Sequence, residues 1–238
     1  MGDFLKQRSS KKELMDDLTC SGDMLRQTLK ELRVINRWLG GNQVTVQGLK
    51  KLIGTDPTVS PVTIADLGSG GGDMIIQICK LARKLNREYH ITGIDANENI
   101  IAYARDNTRH LENVSYQCMD VFSPDFRNQK FDYVTFTLFA HHFTNEQLIR
   151  LFIELKAITR KGIVVNDLHR HWLAYHSIRL LTKWFSRSEM VINDAPLSVA
   201  RSFRRNDWQM IFRQADIRKY QVKWKWAFRW MITINMTD

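Results

Sequence analysis

The chain reads as an α/β protein with a mostly parallel sheet, and three features predict it. Ile64 to Leu67 is an apolar run carrying one acid, Asp66, and it opens through a glycine-rich turn (Gly68, Gly70, Gly71, Gly72) into a helix. Further apolar runs, His90 to Asp95, Val114 to Val121, Phe131 to Phe139 and Gly162 to Asp167, alternate with stretches of helical periodicity. From Ile217 to Ile234 the pattern changes to period two, as in Val222-Lys223-Trp224-Lys225-Trp226, which predicts a closing antiparallel pair.

Composition narrows the class. A chain of 238 residues, 44% hydrophobic, buries a full core and is most simply one α/β domain with an appendage. Cys20, Cys79 and Cys118 form no CxxC and leave one over, so neither a disulfide framework nor a zinc ribbon is expected. No apolar run has the length of a membrane span and no signal-like stretch opens the chain, so the expectation is a cytoplasmic protein. The net charge of +10 is the anomaly: nine Lys/Arg against two acids lie between Arg201 and Trp230, a clustering that attracts phosphate, acidic substrates or anionic lipid.

The turn after the first strand is suited to a nucleotide. Gly68 and Gly70 lack the Cβ atoms that would block a close-lying ligand. A dinucleotide fingerprint needs a small residue at its sixth place, where this chain has Asp73, and a Walker loop needs a Lys-Ser or Lys-Thr pair that is absent. What remains is D-x-G-x-G-x-G, from Asp66 to Gly72, with Asp95 closing the next strand, where an acid accepts hydrogen bonds from ribose hydroxyls.

On these residues the sequence, from about Val62 to its end, resembles the class I S-adenosylmethionine-dependent methyltransferases. The resemblance implies a Rossmann-like seven-stranded sheet with a terminal reversed hairpin. It also implies a cofactor site of Asp66, Gly68, Ser69, Gly70, Gly72, Asp95, Ala96 and Thr137, with Asp120 and Val121 meeting the adenine. The expected cofactor is S-adenosyl-L-methionine, leaving as S-adenosyl-L-homocysteine. No metal is expected: His169 and His171 with Asp167 have unspecific spacing.

The remaining elements follow in order. Leu25, Leu29, Leu32, Ile35 and Leu39 mark an amphipathic helix capped by Ser21 or Asp23 and stopped at Gly40-Gly41, with a shorter helix from Val44 to Ile53. Residues 1–60 therefore form a helical cap, a lid over the acceptor pocket, and residues 61–238 the methyltransferase domain. After the fourth strand come Ala140-His141-His142-Phe143 and a capping box from Thr144 to Gln147. His142, then His141, are the candidate catalytic residues, because a histidine there accepts the proton of an attacking hydroxyl.

The fifth strand ends in a polar cluster, and the family places its acceptor-binding insert next, at about 168–205. Asp167, Arg170, Tyr175, Asp194 and Arg201 are the candidate acceptor contacts, with Asp194 to Phe203 read as a loop and Asn206 as the cap of the last helix. Trp172, Tyr175, Trp184, Phe185, Phe203 and Trp208 suit a planar or greasy small molecule. A weaker resemblance, carried by Glu13 to Asp17, Ile35 to Gly41 and Asp194 to Phe203, is to methyltransferases found beside polyketide-forming enzymes that make phenolic lipids. It implies O-methylation of a phenolic acceptor, with transient contact to an anionic membrane that holds it. The alternatives are C-methylation of a quinone precursor, an RNA methyltransferase and a non-catalytic cofactor-binding partner. Nucleic acid is disfavoured because no N/D-P-P-Y/F run follows the fourth strand. Sequence leaves the oligomeric state open.

Overall fold

The computed structural model describes residues 3–54 and 61–237. Seven strands, β1 (Val62–Leu67), β2 (Tyr89–Asp95), β3 (Val114–Cys118), β4 (Phe131–Thr137), β5 (Thr159–Leu168), β6 (Tyr220–Lys225) and β7 (Arg229–Asn235), form one sheet in the order β3-β2-β1-β4-β5-β7-β6. The first five are parallel, and β7 runs antiparallel to both β5 and β6. Strand order reverses between β1 and β4, which are adjacent, and ligands bind open α/β sheets at the carboxyl ends of strands at such a switch point.

Burial explains the layers. β4 and β5 are central and buried almost without interruption, polar residues such as Thr135, Asn166 and Asp167 included, since both faces are covered. On one face α6 (Asn145–Ile158) and α9 (Arg205–Gln214) pack Leu151, Phe152, Trp208 and Phe212 against Phe136, Ile163 and Ile232. On the other, α3 (Asp73–Lys84) and α2 (Gly41–Gly54) bury Ile75, Ile78, Leu49 and Ile53 over Ile64, Ile91 and Val164. The Thr144–Gln147 capping box is formed reciprocally at the start of α6.

The N-terminal region divides in two. α2 belongs to the sheet's own packing: Gly48 lies so close to Val164 that a Cβ there would stand 2.5 Å from its Cγ1. α1 (Gly22–Trp38) and the extended residues before it instead cross the carboxyl end of the sheet, packing Leu25 and Leu29 on Ile100 of α4 (Glu98–Thr108). The part of the N-terminal region that lies over the sheet's end is therefore α1 with the segment preceding it.

Two local expectations are corrected. Asp194 to Phe203 is no loop: α8 (Glu189–Arg201) runs through it with Pro196 inside, because Ser188 caps its start and Met190, Val191, Val199 and Ala200 are buried. Tertiary burial outweighs the proline's local penalty. α9 starts at Arg205 rather than after an Asn206 cap, since the Asp207 carboxylate reaches back to accept the Arg204 N–H at 2.6 Å.

Candidate active site

A cavity of about 1060 Å³ opens over the carboxyl ends of β1, β2 and β4, roofed by the N-terminal segment, α1, α7 (Trp172–Phe185) and α8. It has two halves, and the first is built around the glycine turn. Gly68, Gly70 and Gly72 all take positive φ. At Gly68 a Cβ would stand 2.2 Å from the ring of Phe139, so the residue is fixed by both conformation and contact. Phe139 is carried there by Leu138, itself at φ 55, whose N–H donates to the Asn166 carbonyl at 2.8 Å.

Asp95 ties this half together: its carboxylate accepts the Gly70 N–H at 3.2 Å and the Asn97 N–H at 3.1 Å. A carboxylate has about four acceptor positions, so capacity remains for two ribose hydroxyls. Asp66 is buried and accepts from the Thr135 hydroxyl at 2.8 Å, and burial pushes its pKa up to about 7. Asp120 accepts the Phe122 N–H at 2.9 Å. The buried Ser69 hydroxyl has no partner of its own, a polar group that a ligand in this cradle would satisfy.

Asp66, Gly68, Ser69, Gly70, Asp95, Ala96, Asp120, Val121 and Thr137 all line the cavity. Gly72 does not: it sits under Tyr116, whose hydroxyl would be 2.5 Å from a Cβ, and its place is structural. Arg33 of α1 reaches Asp73 at 2.6 Å, tying α1 to the first turn of α3 beside the glycine turn.

The second half is assembled from distant residues. His141 and His142 stand in a single turn of 3-10 helix after β4, their rings 4.4 Å apart. His141 is buried, and its Nδ1 pairs with Asp167 at 2.8 Å while Asp167 also accepts the His141 N–H at 3.2 Å. His142 pairs through Nδ1 with Asp16 at 2.5 Å, leaving Nε2 for a ligand. Arg201 binds Asp16 at 2.5 Å and donates to the carbonyls of His141 (3.1 Å) and His142 (2.7 Å), while Arg8 donates to the Arg201 and Phe143 carbonyls.

Burial opposes the charge on Asp16, yet the hydrogen bonds from His142 and Arg201 outweigh it and hold this carboxyl below its ordinary range. Asp167 is likewise held down, with His141 countering its complete burial. Glu13 behaves oppositely: burial pushes it up to about 7 although Ser198 donates to it at 2.9 Å. Its Oε1 has no hydrogen bond and lies 3.7 Å from both His141 Nε2 and Arg201 Nη1. Glu13, His141 and His142 are the one grouping of possible metal ligands among the described residues, and the Arg201 guanidinium already supplies positive charge beside it.

Several predicted acceptor contacts are placed elsewhere. Arg170 is buried away from the cavity, donating to the Leu5 and Ser202 carbonyls and pairing with Asp207 at 3.0 Å. Tyr175 packs edge-on against Phe4 at 5.0 Å. Asp194 lines the cavity, but its carboxylate accepts the Leu14 and Met15 N–H groups, holding the N-terminal segment down instead of pairing with Arg201. Asp167 lies behind His141 rather than on the cavity wall. None of the six tryptophan, tyrosine and phenylalanine residues expected on the acceptor wall lines it: Phe203 and Trp208 are core, and Trp172, Trp184 and Phe185 face outward. The aromatic lining comes from Phe122, Phe139, Phe143, Trp226 and Phe228. Of the nine C-terminal basic residues, Arg201 and Arg229 are buried and Arg218 pairs with Asp216, while Arg204, Arg205, Arg213, Lys219 and Lys223 are exposed.

Residues 64–162 match a family model described as a methyltransferase domain. No curated protein matches the chain. Among solved structures it is similar to the plantazolicin methyltransferase BpumL in complex with a triazolic desmethylPZN analog and SAH, at 15% identity over 90% of this chain and 91% of that one, TM-score 0.66. It is also similar to magnesium protoporphyrin IX methyltransferase from Synechocystis PCC 6803 with bound SAH, at 15% identity over 83% and 84%, TM-score 0.55. A third likeness is to the CurJ carbon methyltransferase, at 11% identity over 83% and 54%, TM-score 0.63. Identities this low speak for the fold, whereas the matched segment holds the glycine turn, Asp95 and the His141-His142 pair within it. The chain thus has the fold of the solved methyltransferases it resembles, and its residues 64–162 match a methyltransferase-domain model.

Proposed function

We propose that the protein transfers the methyl group of S-adenosylmethionine to a hydroxyl of a small, largely apolar phenolic acceptor. The observation that carries this reading is the Asp16–His142 pair facing the cavity beside the glycine turn. The bound cofactor supplies an already activated methyl group. Asp95 and the glycine turn hold its nucleoside, and Asp120 with Val121 border its base. His142 accepts the phenol proton at Nε2 as the oxygen attacks, and the Asp16 carboxylate stabilises the imidazolium that results. Arg201 fixes both members by binding Asp16 and the His142 carbonyl. The roof keeps water from the reacting atoms, so positioning supplies most of the acceleration.

The test is calorimetric titration with S-adenosylhomocysteine, followed by transfer of labelled methyl to alkylresorcinols, quinols and RNA. Micromolar binding with label on resorcinol oxygen supports the reading. Label on quinol ring carbon makes it a C-methyltransferase, label on RNA overturns the acceptor class, and binding without transfer leaves a cofactor-binding protein. Asp95→Ala is expected to weaken the nucleoside by about 1–3 kcal/mol by removing a charged acceptor.

The same reading has the acceptor arriving from an anionic membrane. Support comes from α7, which has no acidic residue and exposes Leu180, Trp184 (74%) and Phe185 (80%) beside Arg179 and Lys183. Apolar and cationic side chains so mixed suit a lipid interface. Two copies meeting through this helix would oppose like charges. Co-sedimentation with phosphatidylglycerol vesicles, lost in phosphatidylcholine and in a Trp184→Ala/Phe185→Ala double variant, is the expected result. Equal recovery in both lipids, or none, refutes it.

A further inference from the structure

Arg229 is the most deeply buried cation among the described residues, and methyl transfer leaves it unused. It opens β7 opposite Leu168, at the carboxyl end of β5, and its side chain lies beneath the junction of α1 and α2. Only 1% exposed, it nonetheless lines the cavity. Nη2 donates to Asn36 Oδ1 at 3.0 Å, but Nε and Nη1 have no hydrogen-bond partner, which leaves three N–H bonds unsatisfied. Room for the guanidinium exists because residue 41 is glycine: a Cβ there would stand 2.6 Å from Nη2.

A buried cation without a matched anion is costly, and removing water from it adds to that cost. Burial lowers Arg229 to about 10, with the Asp167 charge acting the other way, so it stays protonated at neutral pH. Asp167 is already committed to His141 and the Leu168 N–H, and no carboxylate lies in ion-pair contact with Arg229 among the described residues. The same cavity is lined by apolar residues, Leu32 and Ile35 of α1, Leu39 just after it, and Ile178 and Leu181 of α7.

We propose that Arg229 is an anchor for the acceptor's own carboxylate: the substrate is a hydroxylated aromatic acid with an apolar substituent, held by Arg229 and Asn36 while its hydroxyl faces His142. A guanidinium matches a carboxylate in shape and charge. One cation, rather than a cluster, suits a monoanion better than a phosphate dianion. The proposal rests on the methyl-transfer reading of this cavity and deepens it by naming the acceptor class.

The test compares two probes that differ only in the carboxyl group, 2,4-dihydroxy-6-pentylbenzoate and 5-pentylresorcinol. Each is titrated into the full-length protein saturated with S-adenosylhomocysteine. The wild-type protein is expected to bind the benzoate about 30-fold more tightly, the worth of a buried charged hydrogen bond. Arg229→Gln is expected to bring the two within about 3-fold, with nucleoside affinity unchanged and Arg229→Lys intermediate. The wild-type comparison stands even where a variant at this buried position does not fold. Equal wild-type affinity for the two probes, or binding of neither with the nucleoside bound, overturns the anchor. Failure of S-adenosylhomocysteine itself to bind strikes instead at the methyl-transfer reading on which the anchor depends.

Discussion

The cofactor half and the acceptor half of the cavity are built by opposite means. The first is local: Asp66 to Asp73 form a continuous run, and Asp95 joins it from the neighbouring strand through Gly70. Its chemistry lies mainly in backbone geometry. The second is long-range: Asp16 meets His142 across 126 residues and Arg201 across 185, and Arg8 meets Arg201 across 193. Its chemistry lies in side chains that charge compensation draws together. A site whose geometry is set by backbone tolerates little change but is written in one place, whereas one set by paired side chains is dispersed and adjustable.

The largest expected effect tests the rigid half. Gly68→Ala forces a side chain into a left-handed position and onto the Phe139 ring, and it is expected to cost about 3 kcal/mol or more in nucleoside affinity, read by titration. Binding within a few tenths of wild type would show that the turn yields. Next comes the adjustable half. His142→Ala is expected to lower kcat by ~10²–10³-fold with nucleoside affinity intact, and Asp16→Asn to lower it less. Parallel loss of nucleoside binding would make the pair structural and erase the distinction between halves.

A smaller effect concerns Glu13. Its folded pKa of about 7 lies above the ordinary 4.5, so the folded state holds a proton that the unfolded chain releases, and stability falls as pH rises between these values. Glu13→Gln is expected to remove Glu13's share of that slope and leave the share of Asp66, a difference of a few kcal/mol at most, measured by denaturant titration at pH 5 and pH 8. An unchanged slope would place the effect on Asp66, which is raised in the same direction. The smallest is a null result: activity is expected to survive EDTA, because Arg201 already compensates Glu13. Loss restored by a divalent ion would assign a metal to Glu13, His141 and His142.

The same contrast governs what the sequence made legible. The individual strands, the turn and Asp95 follow from periodicity and spacing, which act over a few residues, whereas the seven-stranded arrangement was legible only through the family resemblance. His141 and His142 were visible because they end a strand, but their partners were not. Glu13 and Asp16 lie in an N-terminal stretch otherwise rich in Lys and Arg, and the three acids Glu13, Asp16 and Asp17 within five residues were the available signal. Asp194 and Arg201 were legible as candidate acceptor contacts, yet nothing local indicates that one binds backbone at Leu14 and the other Asp16. Pro196 misdirected the reading of α8, since local propensity carries no information about the apolar side it buries. Phe139 and Arg229 looked like ordinary strand-end residues, and only Gly68 and Gly41, the glycines that make room for them, hint otherwise.

The segment from Glu13 to Asp16 is both roof and chemical partner, pinned by Asp194 and carrying the carboxylate that serves His142. Roofing the cavity and partnering His142 are thus tasks of one short stretch of chain: any change that lifts it off Asp194 also takes the Asp16 carboxylate away from the imidazole.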